Sequence, residues 1–377
     1  MLESLHIEGF RRFKDFTLNG FDKINFILGE NNVGKTSVLE AVYTWACGQN
    51  FPPLVGFPLS RGRYANIQNP FWVMEELLST VNDRHKLPLQ MTFEGVYDGR
   101  NEQFVHIIRP SDLLMDYDAS YKNDTTKNFM RPYGSMQDQG QGIASAGFPI
   151  QTTLIGEWEI RHNNENEFAK AALTVPFMNY GGVQPMQLAK FVDLLSHVFV
   201  AENVQMYANL KREGLLEEVA KEMNKAFPQI KGFDMIPYPD GSQAPISVEN
   251  RDGSYLPMYA YGDGVQKWFY ILGVLTKHKN SIICIDEVDT GFHTAAQASF
   301  CASMIQTAIK NNVQLFLTTH NIEFVDNLLN CMVSDYPQIA ESINIITMRN
   351  TAEGLRTRNL NAKEASHARD VYNMELR

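Results

Sequence analysis

The chain has 377 residues, 44% hydrophobic and 20% charged, which excludes a wholly disordered protein and leaves room for a large core. Lys plus Arg is 33 against 43 Asp plus Glu, a net charge of −10, so a uniformly basic nucleic-acid coat is excluded while a local basic strip is not. Four scattered cysteines (Cys47, Cys284, Cys301, Cys331) form no C-x-x-C pair, which argues against a disulfide scaffold or a cysteine zinc site. The N-terminus has no apolar signal region, and no run approaches the ~18 apolar residues of a membrane span. The expectation is a soluble cytoplasmic protein with no membrane partner.

In chain order, LHIEGF and INFIL (24–28) read as strands, and INFIL runs into the Gly/Asn-rich turn GENNVGKTS and the helical VLEAVYTWA. Four prolines punctuate residues 52–70, and WVMEELLSTV (72–81) has helical spacing. LQMTFEGVYD, QFVHIIR, TTLIGEWEIRH and residues 165–179 read as strands. Between them, 111–149 is rich in Asp, Asn, Gly, Gln and Ser and reads as an inserted mobile loop, either a sensor or solvated filler. PMQLAKFVDLLSHVF (185–199) and REGLLEEVAKEMNKAF (212–227) read as helices, DMIPY and PISVEN as strands. YGDGVQKWFYILGVLTKH is a Gly turn opening a helix, SIICIDEVD an apolar strand ending in acids, and TAAQASFCASMIQTAIKN a helix. VQLFLTTHN and ESINIITM are further strands, and 350–377 is a polar tail with a possible helix.

Gly29 to Thr36 fits G-x-x-x-x-G-K-[ST] without a mismatch, between a strand and a helix. In such a loop the backbone N–H groups curl around phosphates, and the helix N-terminus faces the same charge. The residues expected around the nucleotide are Gly29, Asn31, Asn32, Gly34, Lys35, Thr36 and Ser37, with Lys35 on the β- and γ-phosphates and Thr36 on Mg²⁺. The acid-tipped strand supplies Asp286 as a second Mg²⁺ holder and Glu287 as the base that orients and deprotonates water. A glutamate there favours hydrolysis over kinase transfer, and no N-K-x-D element follows, which weighs against a guanine-selective GTPase. His320, one strand later, is placed to sense the γ-phosphate.

The order of these elements resembles the ABC-class ATPase head of the SMC/RecF/OLD branch. FRRFKD (10–15) is similar to that family's N-terminal element, and GENNVGKTSVLEAV to its P-loop. YGDGVQKWFYIL resembles a degenerate signature, IDEVDTGFHTAAQ and LFLTTHN the acid and His strands, and EASHARDVYNMELR the usual tail. The resemblance implies an α/β fold: a P-loop mixed or parallel sheet core, an antiparallel β lobe and a short helical insertion. It divides a single head (1–377) into 1–50 around the P-loop, a β-rich lobe at 51–184, a helical insertion at 185–230, a signature and acid-strand lobe at 231–348 and a tail at 349–377. It also implies that Arg11 contacts the nucleotide, that Gly262, Asp263 and Gly264 contact the γ-phosphate of an opposite protomer, and that His293 lies in a loop crossing the dimer.

The expected ligands are therefore ATP and Mg²⁺, and the expected assembly is a homodimer or higher homo-oligomer. The chain has no long heptad run for an SMC arm and too little sequence after His320 for a Toprim nuclease. A separate effector protein, a nuclease or toxin, is the expected partner, by resemblance to the ATPase subunits of bacterial anti-phage systems. A RecF-like protein that clamps DNA is the rival reading.

Overall fold

The computed structural model describes residues 1–48, 81–82, 88–110, 153–164, 169–175, 188–194, 196–198, 200–236 and 245–372. The expected 111–149 loop lies outside these residues, as does the 72–81 helix except for Val81.

Among the described residues, two six-stranded sheets and one small sheet carry the chain. The first sheet is antiparallel, in the order β2-β1-β4-β5-β6-β7. Its strands are β1 (Leu2–Phe10), β2 (Phe13–Asn19), β4 (Leu89–Tyr97), β5 (Arg100–Pro110), β6 (Thr153–His162) and β7 (Ala169–Val175). The second has the order β15-β14-β3-β13-β12-β8 and is parallel except for its β15 edge. It comprises β3 (Ile24–Gly29), β8 (Ala189–Val192), β12 (Ile282–Ile285), β13 (Gln314–Thr318), β14 (Ile343–Thr351) and β15 (Gly354–Asn361). A three-stranded antiparallel sheet joins β9 (Ile230–Met235), β10 (Ile246–Asn250) and β11 (Tyr255–Pro257).

The near-continuous apolar runs of β3, β12 and β13 have a simple cause: both faces of these strands are covered. Successive side chains point to opposite faces, and the core divides accordingly. Phe26, Leu28, Ile283, Ile285, Leu315 and Leu317 face one cluster, while Ile27, Ile282, Cys284 and Phe316 face the other. The first cluster is completed by the helices α2 (Val200–Arg212), α3 (Leu216–Ala226), α4 (Asp263–Lys277), α5 (Thr294–Lys310) and α6 (Ile322–Asp335). The second is filled by α1 (Lys35–Cys47) and the antiparallel sheet. Trp45 of α1 is fully buried there, its indole N–H donating to the Glu102 carbonyl at 2.9 Å.

Two stretches fold differently from the expectation. Within the stretch expected as a helix at 185–199, Ala189–Val192 form strand β8, paired in parallel with β12 from Ile282↔Ala189 to Ile285↔Val192. A short apolar run has no periodicity that separates strand from buried helix, and here the open edge of β12 decides. The polar tail opens with a strand, β15, hydrogen-bonded along all of β14. Its residues are largely exposed and include Arg356 and Arg358, so it has no apolar alternation to read; charged side chains are what an edge strand carries. After a short α7 (Pro337–Ala340) between α6 and β14, the last helix, α8 (Ala362–Tyr372), starts at a reciprocal cap. Asn361 Oδ1 accepts from the Glu364 N–H at 2.9 Å, and Glu364 Oε2 accepts from the Asn361 N–H at 3.0 Å. None of the four cysteines is in a disulfide. Among the described residues, no helix is long and apolar enough to cross a membrane.

Candidate functional site

In a parallel sheet, ligands bind beyond the carboxyl ends of the strands. Here β3, β13 and β12 are consecutive neighbours, so their carboxyl ends bring together the loop after Leu28, the Thr318–His320 segment and the Asp286–Glu287 pair. Three segments far apart in sequence become one site because of strand order alone.

The loop from Gly29 to Gly34 is exposed at Glu30, Asn31 and Asn32 and buried at Val33, which anchors it to the core. Gly34 sits at φ 106°, a left-handed conformation that favours glycine, and a Cβ there would also crowd Arg12 Cδ at 2.9 Å and the Phe13 ring at 3.1 Å. Lys35 Nζ donates to the carbonyls of Gly29 (2.7 Å) and Glu30 (2.9 Å), curling its side chain back over the loop. Burial lowers the Lys35 pKa from its ordinary value, opposed by the charges of Glu287, Asp286 and Asp289. The Thr36 hydroxyl lies 3.0 and 3.1 Å from the two carboxylate oxygens of Asp286. Ser37 follows on α1, half-buried.

Asp286 is buried and receives a second hydroxyl, that of Thr318, at 2.6 Å. Thr318 Oγ1 in turn accepts from the Glu287 N–H at 2.9 Å. Glu287 adopts φ 47°, a left-handed conformation that is rare outside glycine, asparagine and aspartate and is kept only where its surroundings enforce it. His320 is exposed just beyond β13, and Asn321 caps α6 by accepting from the Phe324 N–H.

The 262–264 turn packs against the loop after Glu287. A Cβ on Gly264 would stand 2.7 Å from the Gly291 carbonyl oxygen, a backbone atom that cannot swing away. Gly262 and Asp263 are exposed, and so is His293. Asp263 Oδ1 lies 2.8 Å from Nε2 of the buried His197. Burial lowers the His197 pKa, with Asp263 acting in the opposite direction.

Arg11, expected at the nucleotide, is paired with a carboxylate of α1. Its Nε is 2.5 Å from Oε2 of the fully buried Glu40 on α1, so its charge is already matched. The neighbouring Arg12 reaches the loop, donating to the Asn32 carbonyl and, at 2.7 Å, to Asn350 Oδ1. Both arginines lie in the turn between β1 and β2, where Arg11 adopts φ 49°. Sequence reasoning also misses Thr318, His197 and Lys267. The TTHN run holds a signal for Thr318; nothing local marks the other two.

This fold and this loop, with a carboxylate chain at the strand ends, define a P-loop ATPase. A family model described as "AAA domain, putative AbiEii toxin, Type IV TA system" matches residues 135–326, and one described as "AAA ATPase domain" matches residues 1–79. The first match spans just over half of the chain, which belongs to that AAA-domain family. An "ATP/GTP phosphatase" of Helicobacter pylori is 26% identical over 350 residues, 87% of each chain. The DNA replication and repair protein RecF of Idiomarina loihiensis is 44% identical over 52 residues, only 14% of this chain and 15% of its own. Among solved structures, an Smc head domain derived from Pyrococcus furiosus, bound to the C-terminal domain of ScpA, is 10% identical with a TM-score of 0.49 over 99% of each chain. The protein is an ATPase.

Proposed function

We propose that this ATPase is a molecular switch: two copies close head to head on two ATP molecules, and hydrolysis reopens them. Glu287 is the base that takes the proton of the attacking water, Lys35 holds the β- and γ-phosphates, and His320 senses the γ-phosphate. The observation that carries this reading is the hydrogen-bonded chain Thr36–Asp286–Thr318–Glu287, which ties the main chain of Glu287 to the phosphate loop. The 262–264 turn of each subunit completes the pocket of the other. ATP shifts the open–closed equilibrium only in so far as it binds the closed pair more tightly.

The oxygen pair of Thr36 and Asp286 suits Mg²⁺, a hard cation that is held by one or two protein oxygens while phosphate and water fill the rest. Among the described residues, no group of three or more His, Cys, Asp or Glu is placed to hold a metal. The Mg²⁺ would thus be held jointly with the nucleotide, and when bound it would neutralise charge on the phosphates.

The closed pair governs a separate effector, a toxin or nuclease, in bacterial anti-phage defence. The toxin–antitoxin wording of the matched family supports a place in a two-component system of this kind. A second reading, an ATP-dependent DNA clamp, is favoured by the short RecF matches at 44% and 48% identity. ATP-strengthened, salt-dependent DNA binding would select it; co-purification with an effector and no such binding would select the switch.

The test of the base is Glu287→Gln. It should bind ATP normally and lose about 10²–10⁴-fold in turnover. Wild-type turnover by this variant would reject Glu287.

A further inference from the structure

One buried cation in the site has no part in the proposed chemistry. Lys267, in the first turns of α4, is 1% exposed. Its Nζ donates to the Glu287 carbonyl at 2.8 Å, the Thr290 carbonyl at 3.0 Å and the Thr290 hydroxyl at 2.6 Å. Three acceptors match the three protons of an ammonium. The Thr290 hydroxyl passes its own proton to the same Glu287 carbonyl, at 2.9 Å. Burial pulls the Lys267 pKa down to about 8, with Asp289, Asp263, Glu287 and Asp286 acting against that fall. Asp289 is buried as well, and its Oδ1 has no hydrogen-bond partner among the described residues.

The consequence lies in what this cation grips. Glu287 holds an unfavourable left-handed conformation, and its main chain is held on both sides: the N–H by Thr318 of β13, the carbonyl by Lys267 of α4. Rotation about either bond would swing the carboxylate. Lys267 also stands on the helix that begins at the 262–264 turn, where Gly264 touches the Gly291 carbonyl without room for a Cβ. The turn and the base are thereby fastened to one rigid helix start.

We infer that Lys267 is a positioning residue, which sets the carboxylate of Glu287 for attack and makes its placement depend on the 262–264 turn. This rests on Glu287 being the base. Since that turn meets the nucleotide of the partner subunit in the same reading, closure on one ATP bears directly on the base beside the other. Lys267 touches no atom of the phosphate loop among its hydrogen bonds, so its effect falls on the chemical step and not on nucleotide affinity.

The experiment compares Lys267→Met, Thr290→Val and Glu287→Gln in the full chain, with turnover expressed per bound ATP so that misfolded molecules do not count. Lys267→Met should lower kcat by about 10²-fold, the scale of an ångström misplacement. Thr290→Val keeps the lysine and its two carbonyl bonds and should lower kcat by about tenfold, with ATP affinity changed less than about twofold in both variants. Added to Glu287→Gln, Lys267→Met should cost less than about twofold more, because the residue it positions is already gone. If Lys267→Met cannot fold, Thr290→Val decides. Wild-type kcat in these variants beside an inactive Glu287→Gln, or losses that multiply with it, would overturn the inference and leave the base in place. Full turnover by Glu287→Gln would instead remove the base itself.

Discussion

The two halves of the site are built in opposite ways. The phosphate loop is local: eight consecutive residues, Gly29 to Thr36, from the end of β3 into α1, shaped by main-chain geometry, with Lys35 bonded to carbonyls five and six residues away. The Glu287 half is assembled from α4, β12, β13 and the segment after β8, and its bonds span 20 to 66 residues of sequence. A local device can be recognised by its motif and changed one residue at a time. A non-local one is visible only once the sheet order is known, and its parts fail together.

Substitutions should expose that contrast. The largest effect is expected from Lys35→Ala, which should abolish nucleotide binding while leaving the melting temperature of the ligand-free protein within a few degrees, because Lys35 is only half-buried and bonded to its own loop. Calorimetric titration with ATP and a thermal melt check this; retained binding would show that the loop's backbone suffices alone. Next is Gly264→Ala, in which the new methyl meets the Gly291 carbonyl. It should cost about 1–3 kcal/mol of stability and reduce turnover with it, since the fit between the turns is non-local. A melt unchanged by this variant would mean that the two turns are not one body. The smallest effect separates the two arginines. Arg12→Ala should weaken ATP binding modestly, about 2- to 10-fold, by freeing the Asn32 carbonyl and the loop. Arg11→Ala should instead destabilise the fold by removing a cation 2.5 Å from the buried Glu40. The reverse pattern would return Arg11 to the nucleotide.

Legibility in the sequence followed the same division. The P-loop, its flanking strand and helix, the acid-tipped strand and the α/β class could be read because each is written in adjacent residues, and β12 to β14 read as strands because both their faces are buried. What escaped was set by distant partners. Strand β8 exists because β12 offers an edge, and β15 because β14 does. The bond from Arg12 to the loop and the pairing of Arg11 with Glu40, on another element, are likewise set by distant partners. Lys267 reads as one more polar residue on an amphipathic helix, and only the placement of Thr290 and Glu287 beneath it gives it a task.

The central claim is that triphosphate closes two copies of this chain, and the direct measurement is the mass in solution of Glu287→Gln with and without ATP and Mg²⁺. A doubling of mass on adding ATP, absent with ADP and absent in Lys35→Ala, is the predicted result. A variant that binds ATP in full and keeps a single unchanged mass in every nucleotide state would contradict it.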